Sequence, residues 1–312
     1  MTKTHQTLDQ ELRPTAWEDY IGQELIKKNL HILITAAGQR NQPPEHMLFY
    51  GPPGLGKTTL AHLIAHETGT AMKITSGPAI EKVGDLASIL TNLNTGDILF
   101  IDEIHRLNKM VEEVLYPAME SGVLDIIIGK GPSARTVQLD LPPFTLIAAT
   151  TRIALLSAPL RSRFSGGVHR LEMYSDEEIQ KIAQRSADIL GMTPDADALI
   201  EIAKRARSTP RTANYFLKRI RDYAQVHDTP VTHQVVIDAL ELLGIDEQGL
   251  TTIDRMYLEV LRDKFGGGPT GLKTLAAAIN EDENTLEDVI EPYLLRLGLI
   301  EKTSRGRMIV EK

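Results

Sequence analysis

The sequence predicts an α/β domain built on a parallel sheet, followed by an all-helical segment and a C-terminal winged-helix module. Three observations carry this. Short apolar runs at His46–Tyr50, Asp97–Ile101 and Phe144–Ala149 alternate with amphipathic helical stretches, as strands buried on both faces do. From about Ser175 the periodicity becomes wholly helical. Leu250–Lys312 then places helical segments ahead of two short strand runs, Leu299–Thr303 and Arg307–Glu311, joined at Ser304–Gly306. Domain boundaries are expected at 1–175, 176–246 and 247–312.

Within the first part, Leu124–Leu141 reads as a β-hairpin, with an apolar strand, a Gly-Lys-Gly-Pro turn and an alternating return strand. Ser175 and Glu178 form a capping box that opens a helix over Asp176–Leu190. Helices follow at Ala196–Ala206, Arg211–Val226 and Thr232–Leu243, and Gly244 with Asp246–Gly249 forms a linker. The last part holds a helix ending at Phe265, a Gly-Gly-Gly-Pro turn, and helical stretches at Leu272–Ile279 and Asn284–Leu297.

Composition narrows the function classes. Apolar residues make up 42% of the 312 and charged ones 24%, enough to build packed cores. The absence of cysteine excludes disulfides, thiolate zinc sites and cysteine nucleophiles. No stretch is long and apolar enough to span a bilayer, and the first twenty residues lack the pattern of a signal peptide. With 34 Lys and Arg against 42 Asp and Glu, the net charge is −8, so any nucleic-acid binding must rest on local basic patches.

The densest chemistry lies in Gly51-Pro-Pro-Gly54-Leu55-Gly56-Lys57-Thr58, which fits the phosphate-binding spacing G-x-x-x-x-G-K-[ST] between a strand and a helix. Its glycines let backbone N–H groups turn toward phosphate oxygens, and the following helix adds its positive dipole end. Lys57 supplies charge to the β- and γ-phosphates, and the Thr58 hydroxyl is placed for Mg²⁺. Asp102 and Glu103 end the second apolar run, where open α/β sheets bind ligands. Asp102 is expected to hold the metal, and Glu103 to orient or deprotonate a water. Together these motifs indicate nucleotide hydrolysis. Thr151, past the third run, either senses a γ-phosphate or satisfies a strand end. Arg161 and Arg163 form either a solvated turn or a source of a guanidinium that reaches a phosphate, on the same or another subunit. Seven cations against one acid in Ile202–Asp222 read as a solvated helix face or a DNA patch. His62, His66 and His105 lack zinc-binding order and read as partly buried helix histidines.

GPPGLGKTTLA, FIDEIHRL, EEVLYPAME, LPPFTLIAATTR, PLRSRF and EPYLLRLGLIEKTSRGRM, in this order and spacing, resemble the RuvB family of bacterial AAA+ motors. The resemblance runs from about Leu12 to Val310. It implies an ATP-driven motor that moves duplex DNA to migrate four-way (Holliday) junctions in recombination and repair. It further implies RuvA as partner, RuvC in the wider complex, a hexameric ring, and a bacterial cytoplasm. ATP or ADP with Mg²⁺ is the implied ligand. Leu12, Arg13, Tyr20, Ile21 and Tyr174 match the adenine pocket; Gly54, Leu55, Gly56, Lys57, Thr58 and Thr59 match the phosphate and Mg²⁺ site. Arg163 matches the arginine finger, Arg211 the lid's sensor arginine, and Glu120, Ser121 and Gly122 a segment near an adjoining subunit's nucleotide. Ile126, Ile127 and Ile128 match the hairpin face that docks RuvA, and Lys302, Arg305 and Arg307 the DNA-contacting wing. The chain departs from the family pattern in three places. Ser208 stands where Gly is usual and is expected to cap the next helix, Phe164-Ser-Gly-Gly-Val168 is one residue longer, and Glu283 replaces a common basic residue. Two other readings of the residues stay open: a nucleotide-switched, site-specific DNA-binding regulator, and a clamp-loader-like ATPase, which the winged C-terminus speaks against.

Overall fold

A computed structural model of the chain describes residues 8–128 and 135–310. The chain divides into two compact units, Met1–Tyr174 and Ser175–Lys312. The first carries helices α1 (Leu8–Glu11), α2 (Glu24–Gln39), α3 (Lys57–Thr68), α4 (Val83–Thr91), α5 (Lys109–Ser121) and α6 (Ala158–Arg161). Its strands are β1 (Met47–Tyr50), β2 (Met72–Ser76), β3 (Ile98–Asp102), β4 (Val123–Ile128), β5 (Arg135–Asp140), β6 (Thr145–Thr150) and β7 (Val168–Arg170). Five of these form one sheet in the order β2-β3-β6-β1-β7, with every adjacent pair parallel.

The three apolar runs are the three inner strands. All six residues of β6 are buried, as are the first four of β3, because both sheet faces are covered. On one face Leu48, Leu99, Ile101, Leu146 and Ala148 pack with Leu86 and Leu90 of α4 and Val111, Leu115 and Ala118 of α5. Helix α2 buries Ile26, Leu30, Ile34 and Ala37, one stripe at helical spacing. The two edge strands, β2 and β7, escape the sequence pattern: neither contains a fully buried residue. The hairpin forms as expected, pairing β4 and β5 antiparallel from Val123↔Asp140 to Ile128↔Arg135, while its Gly-Lys-Gly-Pro turn falls outside the described residues.

The second unit begins with four helices, α7 (Asp176–Ile189), α8 (Ala196–Arg205), α9 (Pro210–His227) and α10 (His233–Leu242). The expected capping box is present: Ser175 Oγ accepts from Glu178 N at 3.2 Å and Glu178 Oε2 accepts from Ser175 N at 2.9 Å. Then come α11 (Thr252–Glu259), α12 (Leu272–Ile279), α13 (Glu283–Thr285), α14 (Glu291–Arg296) and an antiparallel wing of β8 (Ile300–Thr303) and β9 (Gly306–Ile309). Two stretches read as continuous helices contain π turns, at Val260–Lys264 and Leu286–Ile290. Leu250, Tyr257, Leu261, Leu275, Leu286, Leu294 and Ile300 form the core of this winged helix.

The basic segment 202–222 is neither a uniform solvated face nor a uniform patch. Arg205 is 2% exposed and pairs with Glu201 at 2.6 Å. Arg207 donates to Gly249 O at 3.0 Å, pairs with buried Asp254, and lies 4.5 Å from the Tyr293 ring centroid. Arg205 is committed to a pair within α8 and a bond to Ile245 O, and Arg207 ties the end of α8 to the winged helix. Burial and pairing decide their role, and neither is visible in a count of charges.

Ser208 is not the cap expected of it. Thr209 is the residue before α9, and its hydroxyl accepts from Thr212 N at 3.4 Å. Ser208 and Arg207 both adopt φ of 55°, a left-handed conformation that suits glycine. Ser208→Gly should therefore stabilise the protein by about 0.5–1 kcal/mol: relief of left-handed strain outweighs the added freedom of the unfolded chain. Denaturant unfolding checks this; an unchanged or lowered midpoint contradicts it.

Candidate functional site

Five groups of expected site residues lie in the first unit, and the glycine-rich loop, the acid pair and Thr151 sit at the C-terminal edge of its sheet. The glycine-rich loop follows β1, and helix α3 begins at Lys57, so the loop ends at a helix N-terminus. Gly56 adopts φ of 97°, and a Cβ there would lie 2.8 Å from the Tyr20 hydroxyl; only glycine fits. Lys57 is buried, and its Nζ donates to Gly51 O and Pro52 O, both at 2.8 Å, folding the ammonium into the loop. Thr58 and Thr59 occupy the first turn of α3, both half-buried.

Against the loop stand the residues expected at the base. Leu12, Tyr20 and Tyr174 are buried, and Ile21 and Arg13 are half-buried. The Tyr20 and Tyr174 hydroxyls lie 3.3 Å apart, and each is within 3.3 Å of Leu55 O. Burial, reinforced by Tyr174, pushes the Tyr20 phenol well above its ordinary range, so it stays protonated. His62, on α3, is held down to about 4 by burial and by the Arg13 charge, and is neutral at pH 7. His66 is exposed, which corrects the reading of it as partly buried. No cluster of three or more metal-ligating side chains occurs among the described residues.

Sheet order brings the acid pair and Thr151 together. Strand β6 lies between β1 and β3, so Thr151, just past β6, falls between the glycine-rich loop and Asp102. Asp102 Oδ1 accepts from Glu103 N at 2.9 Å, and Glu103 takes the left-handed φ of 48°. Thr151 Oγ1 donates to Glu103 Oε2 at 3.3 Å. Two residues that the sequence did not assign to the site join them: His105 Nδ1 lies 3.1 Å from Glu103 Oε2 and 2.9 Å from Thr150 Oγ1. His105 sits on a 3-10 turn, not on a helix as read from sequence. Gly77, after β2, completes the frame, since a Cβ there would collide with Glu103 O.

Arg163 and Glu120 also meet. Their side chains pair at 3.0 Å, Arg163 Nη1 donates to Pro159 O at 2.7 Å, and its guanidinium lies 4.3 Å from the Tyr116 ring centroid. Tyr116 donates in turn to Glu112 at 2.7 Å and contacts Ser157, which caps α6. Ser121 is exposed, and Gly122 closes α5 at φ of 65°. After Phe164, whose ring is buried, Gly166 N donates to His46 O at 2.9 Å and Gly167 N to Phe164 O at 3.0 Å.

In the hairpin, Ile126 packs partly against the core of the first unit, while Val137, its partner across the strands, and Leu139 are exposed. Ile127 and Ile128 complete β4.

The second unit holds Arg211, exposed in the first turn of α9. In its wing, Arg307 grips Glu291 with bonds of 2.8 and 3.2 Å, and Lys302 reaches the same carboxylate at 2.7 Å. Glu291 is fully buried, and Tyr257 donates to it at 3.1 Å. Burial alone would raise the Glu291 carboxyl; Arg307 and Lys302 hold it below its ordinary range instead. Arg305 is exposed at the wing turn, and Glu283 is exposed in α13.

Three family models match consecutive stretches of the chain. The Holliday junction DNA helicase RuvB P-loop domain matches residues 12–171, the RuvB AAA lid domain 174–246, and the RuvB C-terminal winged helix domain 247–312. Among solved structures, the Thermotoga maritima RuvB Holliday junction branch migration motor is similar at TM-score 0.88 and 45% identity, covering 97% of this chain and 96% of that one. A Lys-to-Arg mutant of Thermotoga maritima RuvB matches at TM-score 0.87 and 45% identity over 96% of each chain. A Thr-to-Val form of the same protein gives 0.87 and 44%, over 97% of this chain and 96% of that one.

The wing geometry separates its three cations by pH and by stability. A carboxyl held below its unfolded value stabilises the fold above that unfolded value and loses the contribution as pH falls through the folded one. Arg307→Ala should cost about 3 kcal/mol at pH 7, because it strips the main partner from a buried charge. Its deficit should shrink on acidification below about pH 4.5 as Glu291 protonates. Arg305→Ala should change stability by under about 0.5 kcal/mol. Urea unfolding across pH 3.5–7.5 reads both; equal stabilities for the two variants at pH 7 would refute the assignment.

Proposed function

The chain belongs to the RuvB family of Holliday junction branch-migration motors, and from that premise we propose that it hydrolyses ATP with Mg²⁺ at the described sheet edge to move duplex DNA. The observation that carries this reading is the convergence of the glycine-rich loop, the Asp102–Glu103 pair and Thr151 at the ends of three adjacent parallel strands.

The loop N–H groups and the start of α3 bind phosphate, and Leu12, Tyr20 and Tyr174 wall the base. Lys57, now bonded to two loop carbonyls, exchanges them for phosphate oxygens when nucleotide enters. Thr58, in the first turn of α3, and Asp102, at the end of β3, are hard oxygen donors, which would suit a cation that arrives with phosphates and needs few protein ligands. Bound Mg²⁺ supplies charge neutralisation on the transferred phosphoryl group. Glu103 orients the attacking water and takes up its proton. Arg163 acts on the nucleotide of an adjoining subunit, and its pairing with Glu120 supports a common face for the two residues. Arg211 contributes as the lid's sensor arginine.

The same reading assigns duplex and four-way-junction contact to the wing, with Arg305 exposed at its turn. It assigns RuvA docking to the 124–141 hairpin, whose Val137 and Leu139 are exposed. A hexameric ring, RuvC in the wider complex, roles in recombination and repair, and a cytoplasmic site of action follow from the family. No helix among the described residues is long and apolar enough to cross a membrane.

Branch migration of a synthetic four-way junction, with and without RuvA, tests the function; Glu103→Gln should abolish it while nucleotide binding persists. Rings mixed from Arg163→Ala and Lys57→Ala chains should recover part of the ATPase that each variant alone lacks by about 100-fold or more. Migration without ATP, or no recovery on mixing, contradicts the scheme.

A further inference from the structure

Glu103 does its work only if its carboxylate is held in one orientation, and the backbone alone does not hold it. The residue sits at a left-handed φ of 48°, and its side chain is 36% exposed. Both of its side-chain partners contact the same oxygen, Oε2: Thr151 Oγ1 at 3.3 Å and His105 Nδ1 at 3.1 Å. The His105 side chain is only 10% exposed, and the same Nδ1 lies 2.9 Å from Oγ1 of Thr150, which is fully buried at the end of β6.

The two contacts decide the proton on that nitrogen. A bare Nδ1 lone pair 3.1 Å from a carboxylate oxygen would be repelled by it; an Nδ1–H donates to it and is also within reach of the Thr150 hydroxyl oxygen. Thr150 Oγ1 is itself fixed, accepting from Arg152 N at 3.0 Å. A chain of contacts thus runs from the sheet through Thr150 and His105 to the carboxylate. Thr151, by contrast, is also the residue expected to turn toward a γ-phosphate. When it does, the His105 bond is the contact that keeps Oε2 in place and leaves Oε1 for the attacking water.

We propose that His105 is a positioning residue for Glu103, anchoring its Oε2 to strand β6 while Thr151 exchanges between carboxylate and phosphate. This rests on the ATPase reading above. The imidazole exchanges no proton with substrate: Glu103 takes the proton of the water, and His105 keeps its own.

Steady-state ATPase kinetics on four-way-junction DNA with RuvA, together with equilibrium binding of fluorescent ADP, test it in the full-length chain. His105→Ala should lower kcat by about 10- to 100-fold, the scale of a misplaced catalytic group, with KM and ADP affinity within about twofold of wild type. His105→Asn, whose amide N–H can replace Nδ1–H, should recover most of kcat; His105→Gln, whose amide lies one bond further out, should not. Wild-type kcat in His105→Ala overturns the inference, as does equal impairment of Asn and Gln or a KM that rises in step with the loss of kcat. Should His105→Ala fail to fold, the Asn-against-Gln comparison carries the test alone. A wild-type chain that hydrolyses no ATP removes the ATPase reading and this inference with it, whereas an active wild type beside an active His105→Ala removes only this inference.

Discussion

Strand β6 lies between β1 and β3, and that adjacency is what brings separate stretches of sequence to one edge. The parallel register pairs Tyr50 with Thr150 and Ile101 with Ala148, so the loop after β1, the residues after β6 and the acids after β3 emerge side by side. Parallel strands place all their C-terminal ends on one side, which is why a phosphate-binding loop and an acid pair almost fifty residues apart can share a site. The strained Glu103 is stabilised by what packs against it: Gly77 lets the backbones approach closely, and Asp102 accepts the Glu103 N–H. A left-handed non-glycine residue costs about 1–2 kcal/mol. The surrounding contacts offset that cost and keep the carboxylate at the edge.

Arg163 shows a different use of local structure. Ion pairing with Glu120, a carbonyl acceptor at Pro159 and the face of Tyr116 together restrict a long side chain that would otherwise sample many rotamers. A guanidinium ordered before it meets its phosphate loses less entropy on binding.

In the second unit, charge is structural. Buried Glu291 pairs with Arg307 and Lys302, buried Arg205 with Glu201, and Arg207 with buried Asp254. Such pairs contribute little over apolar packing when complete, but removing one partner leaves a charge stranded in low dielectric. Cations that look equivalent in a basic run therefore divide into those committed to the fold and those, such as Arg305, left to solvent.

The sequence by itself determined the inner strands, the glycine-rich loop, the acid pair, the hairpin, the Ser175 cap and the helical and winged segments, because each is written in local periodicity or in a spacing of a few residues. It did not disclose the edge strands β2 and β7, whose short, half-exposed residues carry no apolar signal. Nor did it disclose the π turns at Val260–Lys264 and Leu286–Ile290, which helical periodicity does not mark. Ser208 looked like a cap until the backbone showed Thr209 in that place. Tertiary structure alone decided that His105 faces Glu103, that Arg163 meets Glu120, and that Arg307 and Lys302 converge on one buried carboxylate. Those contacts join residues 11 to 43 positions apart or depend on a turn's handedness, and only the packed chain sets which side chains face each other.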